Sequence, residues 1–142
     1  MADQQSRHAF VLATLARGND AEIKQFAEQL LADIDEVEVI KNRTGLVMLP
    51  MRDTVEGTAF HLGEVLVAEA HIRALGQEGY GMKTGRDLEA AMAIAVIDAA
   101  WQAGHELSTI DAFVAAQADA IAANDNERMR AVEATRVNME TF

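Results

Sequence analysis

Hydrophobic positions along this chain change period twice, and those changes divide it into three stretches. Residues 1–35 follow a helical rhythm. Ala9, Phe10, Leu12, Ala13 and Ala16 recur at i, i+3 and i+4 spacing, and Gly18 stops the run. Asp20 is placed to cap a second helix carrying Ile23, Phe26, Ala27, Leu30 and Leu31. From Glu36 the period becomes two, the mark of strands. Residues 36–84 then read as an antiparallel meander: Glu36–Val39, Leu46–Met51, about Thr58–Leu62, Val65–Leu75 and a short strand at Tyr80–Lys83. Asn42-Arg43-Thr44-Gly45, Gly63-Glu64 and Gly76–Gly79 are the expected turns. Such short connections suit antiparallel strands, because a parallel pair needs a long crossover.

Residues 85–142 return to helix. Thr84 and Asp87 have capping-box spacing before a nearly all-apolar helix from about Arg86 to Gln102, ended by Gly104. Ser108 and Asp111 form a second capping pair before a helix with Ile110, Phe113, Val114 and Ile121. Asn124-Asp125-Asn126 is expected to break or re-cap it, and a last helix runs through Met129, Val132 and Val137. That tail is Ala-rich with a thin apolar stripe, suited either to packing back or to reaching out as an arm. The fold class is α+β in one domain, 1–142: an antiparallel sheet flanked by N-terminal helices, a central apolar helix and a helical C-terminal arm. Leu46–Met51 is apolar on both faces and carries Pro50, the sole proline. It belongs at a sheet edge, covered by a helix or by a partner.

Composition narrows the chemistry. The absence of cysteine removes disulfides, thiolate metal sites and thiol nucleophiles. A net charge of -11 repels phosphate backbones and anionic lipid, so neither nucleic acid nor a membrane is an expected partner. Neither a signal peptide nor a membrane span is read in the chain, so a soluble cytoplasmic protein is expected.

Three groups of residues could carry chemistry. Thr84, Gly85, Arg86 and Asp87 open a helix, where free N–H groups and an arginine suit a phosphate or a subunit contact; they serve equally as a plain cap. Glu69, His71 and Arg73 alternate along one strand, with His61 on the strand before; they compose a site or a solvated face. Asp98 interrupts an apolar helix and needs a partner if buried. His8 and His105 look isolated. Walker, dinucleotide, GxSxG and EF-hand patterns are missing.

The order of Thr44-Gly45-Leu46-Val47, Gly79-Tyr80-Gly81, Gly85-Arg86-Asp87, Ile97-Asp98-Ala99 and Ala134-Thr135-Arg136-Val137-Asn138 resembles the PhnG family. These are the G subunits of the bacterial carbon–phosphorus lyase complex. The resemblance implies an accessory subunit acting with the H, I and L subunits. Together they attach an alkylphosphonate to the ribose C1 of ATP with loss of adenine. It further implies a core complex with H, I and J, association with K and L, self-association, and ATP and phosphonate met only through the complex. The chain would then hold no cofactor or metal and supply no catalytic residue. Two alternatives stay open: an acidic homo-oligomeric scaffold, and a small phosphate-ligand enzyme using Arg86 with Asp98 or His71.

Overall fold

The computed structural model describes residues 2–52, 57 and 59–140, with side chains described for 3–48, 57 and 63–135. Its elements are α1 (Ala2–Arg17), α2 (Asp20–Leu31), β1 (Val37–Arg52), β2 (Ala59–Ala74), β3 (Gln77–Thr84), α3 (Leu88–Gln102) and α4 (Leu107–Glu140). The α+β class holds, with an antiparallel sheet of order β1-β2-β3.

Three long strands replace the five short ones expected. Asn42–Gly45 is not a turn but the middle of β1, where Gly45 pairs with Val67. Gly63-Glu64 likewise lies inside β2, opposite Leu49 and Met48. Neither glycine takes a positive φ, so each behaves as an ordinary strand residue once a partner strand supplies ladder bonds. The β2–β3 turn is Leu75-Gly76, with φ of 54° and 74°. Two successive positive φ values match the twist of a tight hairpin. The start of the third expected strand, Thr58, lies outside the described residues.

The core forms where α3 lies on β2 and β3. Ala68, Ala70, Ile72 and Ala74 turn their side chains to it from β2 and are buried with Ile94, Ile97 and Trp101 of α3. The approach is close because both surfaces are small. A Cβ on Gly79 would sit 2.1 Å from the Ala95 carbonyl oxygen, and one on Gly81 2.1 Å from that of Ala91. Glycine is required there by contact, not by φ. Ala91, Ala95 and Ala99 repeat every fourth residue, so they lie along one face of α3.

Several caps differ from expectation. Asn19, not Asp20, caps α2 by accepting from the Glu22 N–H. Asp87 is itself the cap of α3, accepting from Ala90, and Thr84 closes β3. α4 begins at Leu107, so Ser108 is already helical, and Asp111 accepts instead from Trp101 Nε1 at 3.0 Å. Asn124–Asn126 does not interrupt α4. Arg17 holds Asp125 at 3.0 Å, and the helix continues for 34 residues, about 51 Å. Its first half packs through Ile110, Val114 and Gln117. Described residues from Asn126 to Thr135 are all exposed, which places the distal half as an arm.

Candidate functional site

The two edges of the sheet are treated differently. β3 is roofed by α1. His8 Nε2 lies 2.6 Å from Asp98 Oδ1, while Asp98 Oδ2 accepts from the Tyr80 N–H at 2.9 Å and from Gln102 at 3.1 Å. The His8 ring stacks on Trp101 with centroids 5.3 Å apart. Asp98 is 1% exposed, and burial pushes its carboxyl above the ordinary range, opposed by the Tyr80 N–H and His8. Lys83 closes the same edge, donating to the Gly18 carbonyl at 3.0 Å and pairing with Asp20 at 2.9 Å. His8, expected to be isolated, is thus the partner that an acid in an apolar helix demanded. The two lie 90 residues apart in sequence, which no local pattern reveals.

β1 is the other edge and lies open. Every residue from Glu38 to Met48 is exposed except Gly45, which is partly so. Leu46 is 62% and Met48 52% exposed. β3 pairs with β2 only as far as Val67↔Thr84. Beyond that the β1–β2 hairpin runs on as a two-stranded arm. The expectation that something covers the apolar strand is unmet within the described residues.

At the α3 N-terminus, Thr84 and Arg86 are exposed, and Gly85 takes φ 107° while donating to the Leu66 carbonyl at 2.8 Å. Asp87 accepts from Ala90 N–H at 3.0 Å and from Lys24 Nζ at 2.7 Å. The Lys24 hydrogen bond holds the Asp87 carboxyl below its ordinary range, and Asp87 in turn raises Lys24. The helix terminus therefore already carries an anion of its own. Arg86 forms no ion pair among the described residues. Arg86 and Asp98 are not brought together, since the ten helical steps from Leu88 to Asp98 span about 15 Å.

Glu69, His71 and Arg73 do share the sheet face away from α3, as expected. There they form a ladder of pairs across three strands. Glu69 accepts from Arg43 at 3.1 Å and from Tyr80 Oη at 2.7 Å. Arg73 bonds Glu38 at 3.1 Å and Glu78 at 3.2 Å, and His71 lies 3.7 Å from Glu78. Tyr80 and Arg43 depress the Glu69 carboxyl, while burial and Glu69 push the Tyr80 phenol up to about 12. His61 does not join them. It lies on the same strand, paired with Pro50, about 33 Å along β2 from His71.

Two further features were not legible in sequence. Asp33, His105 and Glu106 meet at the loops around α2 and α3, their ligand-type atoms within 4.8 Å of one another. Two of the three are surface carboxylates, ordinary for a chain of net charge -11. A cavity of about 360 Å³ opens between α2, α3 and β1, with Ala27, Leu31, Leu88, Met92 and Val96 as its apolar wall and Asn42 at its side.

Comparison with known proteins adds two findings. The model of the family described as "Phosphonate metabolism protein PhnG" matches residues 5–142. A protein of Rhizobium meliloti (strain 1021), alpha-D-ribose 1-methylphosphonate 5-triphosphate synthase subunit PhnG, is 31% identical over 130 residues. The match covers 90% of this chain and 83% of that protein.

Proposed function

This chain belongs to the PhnG family, and from that premise we propose that it serves as a docking subunit of a ribose 1-methylphosphonate 5-triphosphate synthase. The assembly joins a phosphonate to ribose C1 of ATP with loss of adenine. The H, I and L subunits are the partners in that step, and H, I, J and K the partners in the larger lyase complex, in the cytoplasm. The family match across residues 5–142 carries the proposal.

The geometry supports a docking role over an independent catalytic one. Asp98 and His8 satisfy each other beneath α1. The Glu69–Arg43–Tyr80 and Arg73–Glu38–Glu78 groups are likewise paired among themselves. Meanwhile the hairpin and the distal half of α4 present Leu46, Met48, Met129 and Val132 to solvent. Exposed apolar surface on two extended arms is what a subunit buries on assembly. Thr84, Gly85, Arg86 and Asp87 join that contact surface. With Asp87 already seated on the helix N–H groups, Arg86 is the group that reaches outward.

Co-expression with the H, I and J subunits, with a tag on this chain only, tests the proposal. The subunits co-purify in fixed ratio, and the lone chain shows no calorimetric heat with ATP or methylphosphonate. Recovery of the tagged chain alone, or turnover of ATP by it, would overturn the reading.

A further inference from the structure

The open edge of β1 differs in charge from the rest of the molecule. Residues 39–52 hold Lys41, Arg43 and Arg52 and no acid, in a chain of net charge -11. Lys41 forms no ion pair among the described residues, and Arg43 is shared with Glu69. The edge also has definite ends. The pairing register shifts between Val39 and Lys41 and again between Leu49 and Pro50. Bulges and proline interrupt a ladder, so an added strand has a clean run only from Lys41 to about Met48. Such a run of unpaired N–H and C=O groups is a template for strand addition. The apolar cavity beside Asn42 adjoins this run and offers room for one side chain of the added strand.

We propose that β1 is completed by an extended segment of a partner subunit, in which acidic residues alternate with apolar ones, laid along Lys41–Met48. Backbone bonds would supply the attachment, Lys41 would meet an acid, and an apolar side chain would enter the cavity. A second copy of this chain is the weaker fit, because antiparallel pairing of two β1 edges over this run sets Lys41 against Met48 and Arg43 against Leu46 and brings Lys41 no acid. The inference rests on the docking-subunit reading only in requiring a partner.

The test uses the full chain and synthetic peptides alternating valine with glutamate or with lysine. Amide exchange with the glutamate peptide slows at every second residue between Lys41 and Met48, since only outward N–H groups gain partners. The lysine peptide binds at least several-fold more weakly, and Lys41→Glu narrows that gap. Protection elsewhere, equal binding of both peptides, or no binding would overturn the proposal. So would concentration-dependent protection of the same amides without peptide, which would assign the edge to a second copy. The same exchange measurement on the co-purified assembly separates the two claims. An assembly whose β1 amides exchange as in the free chain removes this proposal and leaves the subunit reading standing. Failure to assemble removes the subunit reading, while the peptides still decide the edge.

Discussion

The β3 and β1 edges belong to one sheet and face opposite fates. At β3, a helix of the same chain lies over the strand, and a buried acid accepts the Tyr80 N–H. Lys83 ties the α1–α2 turn to that edge. At β1, eleven residues from Glu38 to Met48 lie unroofed, and apolar side chains point to water on both faces. An edge that is finished internally serves stability. An edge left open, on a chain able to close the other, marks where a partner is expected. The same contrast runs through α4, packed up to Gln117 and exposed from Asn126 to Thr135.

The closed side should tolerate change least. Gly79→Ala and Gly81→Ala drive a methyl into backbone carbonyls 2.1 Å away. Each should cost about 3 kcal/mol or more in urea unfolding, at the upper end for overpacking. Asp98→Ala leaves the Tyr80 N–H, His8 and Gln102 without their acceptor. It should cost about 2–3 kcal/mol, while Asp98→Asn, which keeps the shape and one oxygen, should cost clearly less.

pH sharpens the same point. Burial raises the Asp98 carboxyl above its ordinary value of 3.8. The folded state then binds that proton more tightly than the unfolded chain. Its contribution is fully present below 3.8 and is lost as pH rises through the raised value. Melting temperatures of Asp98→Asn relative to the natural chain should therefore improve as pH climbs from acid towards neutral. A flat difference would show that burial is not what sets this carboxyl. On the open side the smallest effects are expected. Leu46→Ser, Met48→Ser, Met129→Ser and Val132→Ser should each shift stability of the free chain by less than about 0.5 kcal/mol, the usual range for surface changes.

The sequence made the helices legible and obscured the length of the strands, for a physical reason. A helix bonds within itself, so its period and its stops at Gly18 and Gly104 are local. A strand is completed by residues far away. Gly45 and Gly63 carry turn chemistry, and only pairing with Val67 and Leu49 shows that they are strand interior. Asn124–Asn126 reads as a break for the same reason. The Arg17–Asp125 pair that crosses from α1 is separated by 108 residues. Gly79-Tyr80-Gly81 stood out in sequence, but its role as a seat for α3 needed the helix in place. Asp98 announced that it required a partner without naming His8. Of the candidate surface, the two-faced apolar strand was visible at once. That it is an uncovered edge became visible only when the order of three strands fixed which side is free.

The most direct measurement combines the four surface changes Leu46→Ser, Met48→Ser, Met129→Ser and Val132→Ser in one chain. That chain is then co-expressed with the H, I and J subunits, and its melting temperature is recorded alongside. The variant should melt within a few degrees of the natural chain yet no longer bring the partners down. A stoichiometric complex retained by that variant would contradict this expectation, because the open surfaces would then not be where the assembly is held.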